Sequence, residues 1–263
     1  MQLTIMDTAL SRPDLRDVYL SGKPFPVAIL DDFLPLKMAD GLLAEIECDQ
    51  DYRKSNDYIF AKNKFESPRI ESLGPIGQSL RDFLLSSPAA EALSRMYGRP
   101  IFVDPDFVGG GLHRGGEGSF LDMHVDFNLH PRHRRWVRDL NILLYLNKDW
   151  QPAYGGCLDL RNSITGETVA IEPRFNRMVL MLTKDFTFHG YKPIAFPPGR
   201  FRISIATYAY HEAQSDEDVA SLRTTTLWVP DGGGLAKTWT AKFVHKLVPI
   251  KQRLFGSSTA KKK

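Results

Sequence analysis

Two cysteines, Cys48 and Cys157, are all that 263 residues contain, and they stand far apart. Neither belongs to a CxxC pair, which argues against a cysteine-ligated zinc site. Two thiols cannot make a disulfide framework, and that scarcity suits a reducing compartment. Long apolar runs are also missing, since no stretch approaches the roughly 20 residues needed to span a bilayer. The N-terminal stretch MQLTIMDTALSRPDLRD carries Asp7, Asp14 and Asp17 and no apolar run, unlike a secretory leader. Charge of one sign is not in excess: the formal charge is +3 and the pI about 8.8, too mild to point to nucleic acid. Part of that surplus sits in Lys261, Lys262 and Lys263, which read as a solvated tail. There is no internal repeat, low-complexity linker or sharp break in composition. These absences predict a soluble, cytoplasmic protein, with no membrane or nucleic-acid partner, in a single domain spanning 1–263.

What is present is an ordinary globular composition, 43% hydrophobic and 25% charged, enough for a core without staples. Residues 25–34, FPVAILDDFL, read as a strand entering a turn. Residues 36–47 place Leu36, Ala39, Leu42, Leu43 and Ile46 on one helical face. Residues 75–97 read as helical with a break near Ser86-Ser87-Pro88, and Leu80, Phe83, Leu84, Ala89, Leu93 and Met96 supply the apolar stripe. From residue 100 the pattern changes to short β-rich runs separated by turn residues: IFVDPDFV, SFLDMHVDF, LNILLYLN, CLDL, TVAIE, RMVLMLT and FRISIATYAY. Such spacing predicts a sandwich or jelly roll. The expected fold is mainly β with packed helices: N-terminal helices over about 1–99, a β-core over about 100–212 and a C-terminal helical extension over about 213–263. In that extension Leu235, Trp239, Phe243, Leu247 and Ile250 have roughly helical spacing.

The chemistry gathers in the β-region. His124-Val125-Asp126 lies in a predicted strand, where residues i and i+2 point to the same face, so His124 and Asp126 can aim at one point. His189, in KDFTFHG just after the strand RMVLMLT, is the candidate third ligand. Two histidines and one carboxylate are the facial set that holds non-haem iron(II) and leaves positions open. HxD alone is common by chance, so the surroundings decide. An iron centre that activates oxygen needs an electron source, and 2-oxoglutarate can supply two electrons by decarboxylating to succinate. Its distal carboxylate calls for a cation, best a guanidinium, which pairs with it bidentately. Arg202, 13 positions after His189 at the start of the strand FRISIATYAY, would run back beside the metal, with Ser204 at i+2 on the same face. The competing reading of Arg202 is a surface residue in an ion pair.

At this point the chain resembles the prolyl 4-hydroxylase-like branch of the iron(II)/2-oxoglutarate dioxygenases. The stretch concerned is about 100–212: GGGLHRGGEGSFLDMHVDFN, then RDLNILLYLNKDW, GGCLDL, IEPRFNRMVLM, FHG and FRISIATYAY. The run YLNKDW…GG followed by IEPRFNR is similar to the hypoxia-factor prolyl hydroxylases. The resemblance implies a double-stranded β-helix, a cupin-like jelly roll with helices on its major sheet. It implies His124, Asp126 and His189 as iron ligands, with 2-oxoglutarate and O2 as co-substrates. It implies Arg202 and the Tyr145 hydroxyl on the distal carboxylate, with Leu158 lining that pocket. His113 falls where relatives often carry a tyrosine or another polar residue near the co-substrate. Arg138 matches a substrate-side arginine of some relatives; the alternative is an ion pair with a carboxylate across the sheet. Because Asp126 is present, hydroxylation or another oxidation is expected rather than halogenation, for which relatives replace that carboxylate by a small residue.

The segment NLHPRHRRWVRD follows the metal motif directly. Arg134, Arg135 and Trp136 within it are either a recognition surface for an anionic substrate or a solvated basic loop. Residues 48–75 are polar with scattered aromatics, and the sequence does not show whether they form a lid over the pocket. The function expected is hydroxylation of an unactivated carbon of a small metabolite or biosynthetic intermediate. A prolyl residue in a peptide or protein is the competing substrate. Two other classes remain: a non-catalytic scaffold on the same fold, which usually loses a ligand or the arginine, and a cupin-type metalloenzyme, which would not need Arg202 and Tyr145. The sequence says nothing of oligomeric state.

Overall fold

The computed structural model describes residues 9–49, 53–54 and 60–229. Helices α1 (Leu15–Ser21), α2 (Leu36–Cys48), α3 (Pro75–Leu84) and α4 (Ser87–Tyr97) accompany strand β1 (Val27–Leu30), the short β2 (Arg53–Lys54) and β3 (Ala61–Ser67). The helical breaks have local causes. Ser86 accepts a hydrogen bond from the Ala89 amide through its hydroxyl at 3.3 Å, with a proline in the first turn of α4. Gly98 then ends α4 in the left-handed conformation at φ 98°. The predicted stripe Leu80, Phe83, Leu84, Ala89, Leu93 and Met96 is buried throughout. In α2, Ala39, Leu42, Leu43 and Ile46 are buried as expected, but Leu36 is 65% exposed. It is the first helical residue, and the first turn of α2 is not covered there.

The rest of the described chain is β: β4 (Phe102–Val103), β5 (Gly111–Val125), β6 (Trp136–Tyr145), β7 (Leu158–Asn162), β8 (Thr168–Ile171), β9 (Arg177–Leu182), β10 (Thr187–Tyr191), β11 (Arg202–Glu212) and β12 (Leu227–Trp228). The strands form one curled sheet in the order β1-β9-β6-β11-β5-β10-β7-β8, with β3 and β12 on β5 and β4 on β11. Every pairing is antiparallel. The curl comes from β5. Its first part, Gly111 to Gly115, pairs with β11, and its second, Leu121 to His124, pairs with β10. Between them lies the run Gly115-Gly116-Glu117-Gly118, with Gly118 at φ 68°. A side chain there would be strained, so glycine lets one strand leave one sheet and join the other. The result is the expected mainly β jelly roll.

Alternation along the central strands separates two environments. Leu140, Ile142 and Leu144 of β6 and Ile203, Ile205 and Ala209 of β11 join the helices in the main core. Asn141, Leu143 and Tyr145, and Arg202, Ser204, Ala206 and Tyr208, face a cavity inside the roll. Within 48–75 the described residues include strand β3, and its Lys64 lines the cavity. The strand pairs with β5, Phe65 opposite Arg114 and Ala61 opposite Leu121. The expected helix near 236–254 lies outside the described residues. The described part of the C-terminal extension holds a short 3-10 turn (Glu217–Val219) and strand β12 rather than a helix. Among the described residues no helix is long and apolar enough to cross a membrane.

Candidate metal centre and its cavity

Register brings the histidines together. His189 stands opposite His124 on neighbouring antiparallel strands, with ring centroids 4.1 Å apart. His189 does not merely follow a strand, as its sequence position suggested; it occupies the middle of β10. Asp126 lies just beyond the end of β5. Its Oδ1 is 3.6 Å from His124 Nε2 and its Oδ2 is 3.6 Å from His189 Nε2. One ligand atom from each of the three falls within 4.8 Å of the others, so together they can hold a metal ion.

Protonation suits that use. His124 Nδ1 lies 2.8 Å from the Asp122 carbonyl oxygen. A carbonyl can only accept, so Nδ1 carries the proton and Nε2 keeps a free lone pair. Burial and the neighbouring His124 push the pKa of His189 down to about 3, against the pull of Asp126, so its ring is neutral. Its Nδ1 is buried, with no hydrogen-bond partner among the described residues. Burial opposes ionisation of Asp126, but the Arg138 guanidinium, the largest opposing influence, helps hold the carboxyl well below its usual range. Two neutral imidazoles and one carboxylate are the donor set for a divalent iron with open positions.

The cavity measures about 260 Å3. At one end Arg202, 6% exposed, donates from Nε to the Gly156 carbonyl at 2.7 Å and from a terminal nitrogen to the Tyr145 hydroxyl at 3.3 Å. Its guanidinium carbon lies 4.2 Å from the centre of the Tyr191 ring. Among the described residues no carboxylate pairs with it, which separates it from the surface ion pair considered above. A buried, aromatic-walled guanidinium without an anion is the environment a ligand carboxylate requires. Ser204, His113 and Leu158 line the same cavity. Ser204 stands opposite His113 and Tyr145 across β11. Burial and Lys64 push the His113 pKa down to about 3, against Glu66, so it enters as a neutral ring.

The residues expected at the substrate side fare differently. Arg138 is fully buried but does not line the cavity. Its Nη1 contacts Asp126 Oδ2 at 3.0 Å. Its guanidinium lies between the rings of Phe127 and Tyr208, 3.9 and 3.6 Å from their centres. It therefore sits behind Asp126, and the ion pair is what the structure shows. Arg134, Arg135 and Trp136 are absent from the cavity wall. Arg134 is exposed and Arg135 pairs at the surface with Glu212 at 3.3 Å. Trp136 stacks on His133 at 3.7 Å and meets Phe102 edge-on at 4.7 Å. The loop is tied down away from the cavity by His130, whose Nε2 is 3.3 Å from Asp104 Oδ2, both side chains fully buried.

Several wall residues escaped the sequence reading. Asn141, Tyr191 and Tyr208 have the strand parity of Tyr145, His189 and Arg202, and alternation alone could have found them. Trp228 had no such signal. It arrives on β12, opposite His124, and stacks between the His124 ring at 4.7 Å and Phe60 at 5.1 Å.

A jelly roll whose inner cavity is lined by a His-x-Asp…His set and by a buried guanidinium with no carboxylate partner among the described residues is equipped as a metal-dependent oxygenase would be. Comparison with known proteins narrows the class. Residues 110–210 match the 2OG-Fe(II) oxygenase superfamily. Among solved structures, a prolyl hydroxylase from Trichoplax adhaerens, in complex with a peptide fragment of the hypoxia inducible factor oxygen degradation domain, is similar at TM-score 0.55 and 17% identity. The match covers 84% of this chain and 94% of that one. A prolyl-4-hydroxylase from Pseudomonas putida gives 0.56 and 16%, over 79% and 100%. The epimerase SnoN, in complex with Fe3+, alpha ketoglutarate and nogalamycin RO, gives 0.53 and 12%, over 87% and 91%. No protein of curated function matches the sequence. Over residues 110–210 the chain thus matches the 2OG-Fe(II) oxygenases, a family that uses iron(II), 2-oxoglutarate and O2; its core is folded like those of the prolyl hydroxylases, and its His-Asp-His set can hold a metal ion.

Proposed function

We propose that this oxygenase hydroxylates an unactivated carbon of a small molecule, with His124, Asp126 and His189 holding the iron and Arg202 holding the distal carboxylate of 2-oxoglutarate. The observation that carries the assignment is the pairing, in one cavity, of three convergent metal donors with a buried guanidinium that has no carboxylate partner among the described residues. When bound, the iron and 2-oxoglutarate supply the oxidising chemistry, decarboxylation to succinate providing two electrons. The protein's share is placement. His124 is fixed by its bond to the Asp122 carbonyl and by the Trp228 indole on its face. Tyr145 and Ser204 offer hydroxyls beside Arg202, and Leu158 and Tyr191 shield that end from water. Phe127, Tyr208 and Trp228 give the remaining wall an aromatic character.

What supports a small substrate over a peptide is the size of the cavity. It is about 260 Å3, below the roughly 300–1,000 Å3 common for drug-sized ligands, with Lys64 of β3 and Trp228 of β12 in its wall. The fold itself does not separate the two, since similar structures hold either a peptide or nogalamycin RO. The test is iron-dependent succinate formation by anaerobically prepared protein, with His124→Ala as control. Panels of small metabolites and proline-containing peptides are then screened for coupled turnover. Succinate that requires iron and His124, stimulated by a metabolite, is expected. Stimulation by peptides alone would reverse the substrate assignment. Arg202→Met should raise the 2-oxoglutarate concentration needed, losing about 2–5 kcal/mol of binding; unchanged 2-oxoglutarate dependence would remove Arg202 from its role.

A further inference from the structure

Asp126 has two oxygens, and a metal centre with three protein ligands works only if it uses one of them. 2-Oxoglutarate, when bound, would take two coordination positions, and O2 would need a third. A carboxylate that chelated through both oxygens would fill one of these. Something on the protein must keep one oxygen busy.

Oδ2 of Asp126 is the one engaged. Asn141 donates to it from Nδ2 at 2.8 Å, and Arg138 Nη1 contacts it at 3.0 Å. Oδ2 also lies 3.6 Å from His189 Nε2, whereas Oδ1 faces His124 at 3.6 Å with neither of those contacts. The amide is not free to turn. Its Oδ1 accepts from the Thr183 hydroxyl at 3.0 Å, so the NH2 group faces the carboxylate. Asn141 and Thr183 are 1% and 2% exposed, so water does not replace these bonds. Both come from neighbouring strands: Asn141 is on β6 and Thr183 directly follows β9.

We infer that Asn141, anchored by Thr183, is a positioning residue that reserves Asp126 Oδ2 and makes Asp126 a one-oxygen ligand. The inference rests on the proposed metal centre. Arg138 supplies charge to the same oxygen, but a cation also repels an incoming metal. The neutral amide gives direction without that conflict. Second-shell donors of this kind typically alter metal affinity or activity 10–100-fold.

The experiment is titration of the metal-free full chain with Co(II), read by its visible ligand-field absorption, before and after adding 2-oxoglutarate. The proteins are wild type, Asn141→Leu, which keeps the volume and removes the amide, and Thr183→Val, which releases the amide from its anchor. Thermal unfolding of each metal-free protein reports on folding separately. We expect Asn141→Leu to weaken Co(II) binding roughly 10–100-fold and to change the Co(II) spectrum, with a smaller response to 2-oxoglutarate. Thr183→Val should move both in the same direction by less. If Asn141→Leu does not fold, Thr183→Val decides alone. Wild-type affinity and spectrum in the folded variants would overturn the inference while leaving the metal centre standing. A wild type that does not bind Co(II), or binds it equally after His124→Ala, would overturn the metal centre and this inference with it.

Discussion

The two faces of β6 belong to one strand and do different things. On one side Leu140, Ile142 and Leu144 are sealed beneath the helices in the main core. On the other, Asn141, Leu143 and Tyr145 line the cavity. Neighbouring residues therefore answer to different demands. The outer face needs volume and apolarity, and is satisfied collectively. The inner face needs particular atoms at particular distances, and each side chain there is individually consequential.

Substitutions on the two faces sharpen this contrast. The largest effect belongs to the inner space: His189→Ala removes one of three metal donors, and succinate formation should fall to background while the protein keeps its fold, checked by circular dichroism. Retained iron-dependent turnover would break the comparison at its strongest point. On the outer face Leu144→Ala should cost about 2–5 kcal/mol of stability, measured by urea unfolding. Turnover below the melting temperature should be unchanged.

Asp139 lies on the outer side as well, yet it is polar. Its fully buried carboxylate meets the Tyr97 hydroxyl at 2.7 Å, Lys184 Nζ at 2.9 Å and His211 Nδ1 at 2.5 Å. Burial works against its charge, but the hydrogen bond from His211, the Lys184 charge and the Tyr97 hydroxyl prevail and hold its pKa below the ordinary value. A carboxyl depressed in the folded state stabilises it fully above its unfolded pKa of about 3.9, and that stabilisation disappears as pH falls through the folded value. Asp139→Asn should cost about 2–3 kcal/mol at pH 7. The gap to wild type should narrow as pH drops below about 4, in urea unfolding repeated across pH. A gap independent of pH would mean that the charge is not the source. The smallest effect is expected for Arg134→Gln combined with Arg135→Gln. These are exposed and away from the cavity, so stability should shift by about 0.5 kcal/mol or less, and turnover should not change. A raised substrate requirement would return the basic loop to the site.

Most of the β-core was legible because its strands obey simple alternation. The apolar runs from 100 to 212 became strands, and the i, i+2 relation of His124 and Asp126 was readable before any coordinate. Arg202 and Ser204 follow from the same parity. The helix stripe over 75–97 was equally clear, because a 3.6-residue period and a serine-proline break leave little choice. Arg138 was not legible, and the reason is a single irregularity. Opposite β11 the register shifts, with Leu140 facing Ala209 but Arg138 facing Tyr210. The extra residue is Asp139. A bulge of this kind puts two consecutive residues on the same side of the strand, so Asp139 turns outward with Leu140 and Arg138 turns inward to Asp126. Trp228 and β3 were missed for another reason. Both are added to β5 from distant parts of the chain: β12 is only two residues long and β3 is largely polar, so neither shows a pattern apart from the partner that completes its hydrogen bonds.

The sequence by itself determined which residue types this protein places on each face of its strands, and with them the candidate metal donors and the guanidinium. Alternation is a local property of an extended backbone. Only the tertiary structure decided which atoms of those residues meet: His124 against His189, Asn141 against one oxygen of Asp126, Arg138 behind it and Trp228 over the whole. Those meetings depend on register, on one bulge and on a glycine bend in β5, and each of these is set by pairing between segments far apart in the chain.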